Sequence, residues 1–164
     1  MSIILNRFFT LGSVEKMKII ITGDHAGMTL RSEVKSVLEE RGIEYEDVGA
    51  ACTTSVDYPD YAFEPAERVA NGEFDRGIFI CGTGIGISIS ANKVKGIRCA
   101  LVHDVFSAKA TRQHNNANIL AMGERVIGPG LAREIVTTWL DTPFEGGRHE
   151  TRINKISAYE QAHS

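Results

Sequence analysis

Few folds can accommodate the run Gly77-Ile78-Phe79-Ile80-Cys81-Gly82-Thr83-Gly84-Ile85-Gly86-Ile87-Ser88. Ile78, Phe79 and Ile80 are apolar on both faces of an extended segment. That predicts a short strand buried between two layers, as in a parallel sheet, rather than one face of a solvated hairpin. A reactive side chain, Cys81, stands where the strand should end. Gly82 to Gly86 can then turn tightly and expose successive backbone N–H groups, and Ile85, Ile87, Ile89 and Ala91 predict a packed helix behind the turn. In open α/β sheets ligands bind outside the carboxyl ends of strands, beside such helix starts. The spacing is neither G-x-G-x-x-G nor a Walker loop. On this segment alone, a plain tight turn with Cys81 as a small buried hydrophobe serves equally well.

The remaining sequence narrows the setting. A length of 164 residues suits one domain with a single core. A net charge of -3 gives no reason to expect nucleic acid as a partner, and no run approaches the roughly 18 apolar residues of a membrane span. Cys52, Cys81 and Cys99 are odd in number and lack C-x-x-C spacing, so neither a disulfide framework nor a zinc site is indicated and a reducing cytoplasm is expected. Residues 1–16 are too interrupted by Asn6 and Arg7 for a signal peptide. They read as an extension before a domain spanning residues 17–161.

Strands and helices alternate along that domain. Lys18 to Thr22 predicts a first strand, delivering Gly23-Asp24-His25-Ala26-Gly27 to its carboxyl end. Leu30, Val34, Val37 and Leu38 predict a helix stopping at Arg41-Gly42. Glu44 to Val48 is a more polar strand suited to a sheet edge. After the Ser55 to Asp60 loop, Ala62, Ala66, Val69 and Ala70 form one helical stripe, in which Pro65 marks a kink or the first turn. Cys99 to Val102 is strand four, with Asp104 capping a helix to Gln113. Asn118 to Met122 is strand five. Leu131, Ala132, Ile135, Val136, Trp139 and Leu140 face inward from the next helix, and a last helix opens near Arg148 and runs to about Glu160. The pattern predicts a single three-layer α/β/α domain, Rossmann-like, with a doubly wound five-stranded parallel sheet.

Several polar residues have two readings. Asp24-His25 can be a helix cap with a neighbouring imidazole, or a pair that handles protons on substrate hydroxyls. His114-Asn115 carries the same ambiguity. Asp57 and Tyr58 read as loop anchors or pocket walls. Arg148 and Arg152 lie one turn apart behind Gly146-Gly147, the arrangement of a phosphate site, and Arg125 can join them. Surface arginines satisfied by Glu145, Glu150 or water are the plainer account.

Together the motifs resemble the B-type ribose 5-phosphate isomerase family, which includes galactose 6-phosphate and allose 6-phosphate isomerases. They are Gly23-Asp24-His25-Ala26-Gly27, Asp57-Tyr58-Pro59, Ile80-Cys81-Gly82-Thr83-Gly84-Ile85-Gly86, Arg112-Gln113-His114-Asn115 and Gly146-Gly147-Arg148-His149, in family order. The resemblance implies a metal-free aldose–ketose isomerase needing no cofactor and assembling as a homodimer or homotetramer. It implies Cys81 as the base at C2, His114 as the ring-opening group, and Asp24 and His25 beside the sugar oxygens. Thr83 would move a proton between O1 and O2, while Gly82, Gly84, Ile85 and Gly86 supply N–H groups to the enediolate. Asn115, Arg125, Arg148 and Arg152 would contact substrate, the arginines chiefly its phosphate. Each pocket is expected to combine two subunits, with His114, Asn115 and Arg125 crossing and Arg148 and Arg152 on either side. The alternatives are a six-carbon sugar-phosphate isomerase and a non-catalytic sugar-phosphate or nucleotide-binding module.

Overall fold

In a computed structural model, residues 16–163 are described. Apart from Lys16, the extension predicted over residues 1–16 lies outside them. Five strands, β1 (Lys18–Gly23), β2 (Glu44–Asp47), β3 (Arg76–Cys81), β4 (Cys99–Leu101) and β5 (Ile119–Gly123), form one sheet. All pairings are parallel and the order is β2-β1-β3-β5-β4. Six helices accompany them: α1 (Met28–Glu40), α2 (Phe63–Ala70), α3 (Ile85–Ala91), α4 (Val105–Asn115), α5 (Pro129–Asp141) and α6 (Arg148–Ala162).

Because side chains alternate across a strand, each apolar run feeds two cores. Ile19, Ile21, Ile78, Ile80, Leu120 and Met122 pack on one face with α1 and α5, around the fully buried Trp139. Ile20, Phe79, Cys81, Ile119 and Ala121 pack on the other, with α2 and α3. The charged strand β2 sits at the edge, as its composition predicts. Pro65 falls in the first turn of α2, where its missing N–H has no helical partner to lose.

Four side chains expected inside face solvent. Ile85 and Ile89 are half exposed because their i, i+4 spacing puts them on the side of α3 opposite the buried Ile87 and Ala91. Ala70 and Leu131 likewise fall off the buried stripes of α2 and α5. The helix after β4 runs on to Asn115, so His114 and Asn115 close α4 instead of lying in a separate loop.

The strand order creates a switch point between β1 and β3. From β1 the chain turns into α1 on one face, and from β3 into α3 on the other. A crevice therefore opens between their carboxyl ends.

Candidate active site

The crevice is a cavity of about 380 Å³ whose lining includes Asp24, His25, Ser55, Tyr58, Cys81, Gly82, Thr83, Gly86 and Arg125. Register explains the gathering. Gly23 pairs with Ile80 and Cys81 with Gly123, so Asp24, Cys81 and the segment after Gly123 emerge side by side. The Glu124 and Arg125 N–H groups donate to the Cys81 and Gly82 carbonyls, which folds the Arg125 segment over the glycine turn.

Cys81 is 4% exposed, and its Sγ accepts the Gly84 N–H at 3.1 Å. That contact depends on glycine: residue 84 has φ +75, and a Cβ there would lie 2.6 Å from Leu101 Cδ1 and 2.8 Å from the Met122 carbonyl carbon. Gly86 lies against the Tyr58 ring, where a Cβ would come within 2.5 Å of a ring carbon. Tyr58 is thus a wall of the cavity. The turn also uses some of its own donors. The Ile85 N–H donates to Thr83 Oγ1 at 3.2 Å, leaving the Thr83 hydroxyl proton free to point elsewhere. The Gly82 and Thr83 N–H groups have no hydrogen-bond acceptor among the described residues. So the open donors of the turn are those at positions 82, 83 and 86, and the N–H groups of Gly84 and Ile85 are committed. The Ile85 side chain points outward.

Asp24 is both a cap and a residue of the cavity lining. Its Oδ1 accepts the Ala26 N–H at 2.9 Å, capping a short 3₁₀ turn at His25–Gly27, while the residue lines the cavity. His25 Nδ1 accepts the Val56 N–H at 3.2 Å, tying the loop that carries Ser55 and Tyr58 to the floor of the site. The Nε2 of a neutral His25 must then carry the proton. Deeper support comes from Arg31, 7% exposed, which donates to the Ala50 carbonyl at 2.9 Å and pairs with Asp47. Glu124 accepts the Thr29 and Leu30 N–H groups at the start of α1, and His103 Nε2 accepts the Gly123 N–H. Sequence reasoning missed Ser55, Arg31, Glu124 and His103, and it gave Tyr58 no more than a wall or an anchor. The Asp57-Tyr58-Pro59 motif was the one signal that pointed there.

His114, Asn115, Arg148 and Arg152 do not join this cavity. α4 returns the chain from the carboxyl end of β4 to the amino end of β5, so its last residues lie at the opposite edge of the sheet. A strand of β3's length separates the two edges by roughly 17 Å. Arg148 and Arg152 sit at that same amino edge, because the α6 residue His149 stacks on His114 with ring centroids 4.4 Å apart. Both arginines are exposed, and neither pairs with a carboxylate among the described residues. Arg125 corrects the expected grouping. Its guanidinium lies over Gly82 in the Cys81 cavity, so it belongs with the thiol and not with His114.

Among the described residues the one cluster of metal-ligating side chains is His114, Glu145 and His149, whose ligand atoms lie within 4.8 Å of one another. The two imidazoles are within 13° of parallel, so their in-plane lone pairs do not converge on one ion. No helix among the described residues is long and apolar enough to cross a membrane.

Residues 19–156 match the Ribose/Galactose Isomerase family. The chain is 68% identical over 146 residues to YwlF of Bacillus subtilis, covering 88% of this chain and 98% of that one. It is 49% identical to ribose-5-phosphate isomerase B of Escherichia coli over 88% of this chain and 97% of the relative. Relatives from Pectobacterium atrosepticum and Mycolicibacterium smegmatis, 43% and 45% identical, are named D-erythrulose-4-phosphate isomerases. Among solved structures, Clostridium thermocellum ribose-5-phosphate isomerase B superposes with a TM-score of 0.88 at 53% identity, over 90% of this chain and all of that one.

Proposed function

The chain belongs to the Ribose/Galactose Isomerase family and is a sugar-phosphate isomerase; from that premise we propose that it interconverts ribose 5-phosphate and ribulose 5-phosphate through an enediolate, as a step of the pentose phosphate pathway. The observation that carries this reading is the thiol. Cys81 faces a cavity at the switch point with a backbone N–H directed at its sulfur, a contact that a thiolate accepts better than a thiol. Backbone N–H groups and the Thr83 hydroxyl stand beside it, and Asp24, His25 and Arg125 line the same cavity, which is the equipment for moving protons on a sugar.

The aldose rests mainly as a ring. His114 takes the proton from the anomeric hydroxyl and returns one to the ring oxygen, since imidazole donates and accepts near neutral pH. Cys81 then removes the C2 proton. The negative charge that develops on the carbonyl oxygen is held by the open N–H groups of Gly82 and Thr83, a type of contact worth about 3–4 kcal/mol elsewhere. Thr83 carries the O2 proton to O1, and Cys81 gives its proton to C1. Asp24 and His25 hold the remaining hydroxyls. Arg125, Arg148 and Arg152 hold the phosphate, fixing C2 over the sulfur.

Ring opening and proton abstraction sit at opposite sheet edges of one chain, so this mechanism requires a dimer in which His114, Asn115, Arg148 and Arg152 complete the partner's pocket. The half-exposed Ile85 and Ile89 on α3 and Leu101 at the end of β4, with the 80% exposed Phe106 in the first turn of α4, supply apolar surface for that contact. The same reading puts the enzyme in the cytoplasm, consistent with its three free cysteines.

A coupled assay with ribose 5-phosphate tests the reaction. Saturable binding without turnover would leave a binding module. The relatives named for D-erythrulose 4-phosphate favour a second reading, a four-carbon substrate, and the same assay run on four-, five- and six-carbon phosphates ranks them. Mixing inactive Cys81→Ala with inactive His114→Ala subunits tests the shared pocket. Heterodimers, verified by mass, regain activity if one intact site forms, and their continued inactivity refutes the dimeric arrangement.

A further inference from the structure

We propose that His149 is a positioning residue for His114, its buried imidazole being the flat surface that holds the ring-opening imidazole in register; this rests on the reading of His114 as the ring opener. The two residues come from different helices and differ in exposure. His114 closes α4 and is exposed, whereas His149 opens α6 and is 6% exposed. Their rings stack at 4.4 Å between centroids and 13° between planes. An exposed imidazole at a helix end otherwise samples several rotamers, and a proton donor works only in the one that reaches the ring oxygen.

The support beneath His149 is itself built. The Glu145 N–H donates to the Gln113 carbonyl at 3.1 Å, clamping the turn before α6 onto the end of α4. The His149 N–H donates to the Gly146 carbonyl, closing that turn. The Glu145 carboxylate lies 3.5 Å from His149 Nε2, close enough to favour the proton on that nitrogen, although Nε2 has no hydrogen-bond partner. The charged groups facing His149 are His114 on α4, Glu145 in the turn, and Arg148 and Arg152 on α6. Its loss of water, then the positive charge of His114, Arg148 and Arg152, pushes its pKa below the ordinary histidine value, and Glu145 opposes this. These surroundings favour the neutral form of His149 beside His114, whose ring-opening role requires it to cycle a proton. A neutral ring face tolerates a neighbouring imidazolium, which a second cation would repel.

The test isolates ring opening. In a Cys81→Ala background isomerisation is blocked, and exchange between the α and β anomers of ribose 5-phosphate can be followed by saturation-transfer NMR. His149→Leu, which removes the flat face, should slow the catalysed exchange roughly three- to tenfold, the range expected for one aromatic stack. His149→Phe, which keeps a neutral flat ring, should restore most of it. With Cys81 intact, neither change should alter the rate of C1 proton exchange from open-chain ribulose 5-phosphate. Equal losses in the Leu and Phe variants, or no loss in either, overturn the inference, as does an equal loss in the ketose step. If His114→Ala leaves anomer exchange at the parent rate, the ring-opening reading itself fails, an outcome distinct from the others. Circular dichroism checks folding. Should His149→Leu not fold, His149→Met fills the space without a flat face and carries the same expectation.

Discussion

Gly84→Ala puts a number on how tightly the Cys81 turn is built. Residue 84 has φ +75, where a side chain costs about 1–2 kcal/mol. The added Cβ would also lie 2.6 Å from Leu101 Cδ1, 2.8 Å from the Met122 carbonyl carbon and 3.0 Å from its oxygen. Leu101 is 40% exposed and can swing aside, but Met122 is backbone in the central part of the sheet. Overpacking of that kind costs about 1–3 kcal/mol. The sum is about 2–5 kcal/mol, a large share of a stability of about 5–15 kcal/mol. Two other glycines separate the contributions. Gly42 has φ +64 with nothing within 4 Å of a Cβ, so Gly42→Ala should cost only the conformational part. Gly128 has the same open space at an ordinary φ of -82, and Gly128→Ala should stay within about 0.5 kcal/mol of the parent. Urea unfolding of the three variants at one protein concentration measures this, since the stability of the proposed dimer would depend on concentration. The Gly84 variant should also lose about 10- to 100-fold in kcat, because its N–H no longer aims at the sulfur and a hydrogen bond to a charged group is worth about 1.5–3 kcal/mol. A Gly84→Ala protein no less stable than Gly42→Ala, with kcat within about twofold of the parent, would refute the reasoning.

Cys81→Ala should abolish turnover while the protein still binds substrate, and Cys99→Ser should leave turnover intact. Burial pushes the Cys99 thiol well above the ordinary range, so alkylation should track activity at Cys81 alone, as peptide mass mapping would show. His114→Ala should slow the single-turnover reaction of ribose 5-phosphate far more than that of ribulose 5-phosphate, and equal losses would assign it to the enediolate instead. For Asp47, burial opposes ionisation, but the Gly49 N–H, Arg31 and Lys35 together hold the carboxyl below its usual range. Its contribution is therefore present above the ordinary carboxylate value near 3.9 and is lost as pH falls through the folded value. Asp47→Asn should lower Tm by roughly 5 °C at pH 7, leaving Arg31 buried without its charge partner, and the gap to wild type should close below about pH 4. A gap constant with pH would show that Asp47 acts by shape alone.

What the sequence could and could not disclose follows from how each feature is encoded. Ile19-Ile20-Ile21 and Ile78-Phe79-Ile80 are apolar at every position, which only a strand covered on both faces tolerates, so the sheet was legible from short runs. The cavity wall was legible too, because Asp24, Cys81 and the glycine turn sit at strand ends. The side of α3 was not. Ile85, Ile87, Ile89 and Ala91 alternate in sequence, yet a helix sends Ile85 and Ile89 one way and Ile87 and Ala91 the other. Donor commitment was equally hidden, since the Gly84 and Ile85 N–H groups are consumed by Cys81 and Thr83 through turn geometry that no spacing reports.

The position of His114 is the instructive case. A crossover helix between parallel strands must return the chain to the amino edge before the next strand begins, so residues just ahead of β5 cannot reach the carboxyl edge where Cys81 lies. Arg125, just after β5, must by the same rule stand beside Cys81, as it does. The amino edge is then filled by what helix ends require. Arg76 donates to the Trp139 and Leu140 carbonyls near the end of α5, and Arg98 to the Asn115 and Asn116 carbonyls at the end of α4. Arg112 donates to the Ala117 carbonyl, and burial, followed by repulsion from Arg76 and Arg98, lowers its pKa to about 10. These arginines satisfy exposed carbonyls and favourably meet the negative ends of two helices. They thereby fix the end of α4, and with it the platform on which His149 and His114 stack. The chemistry assigned to His114 thus depends on a helix end built for stability, and its distance from Cys81 is what makes a second subunit part of the proposed mechanism.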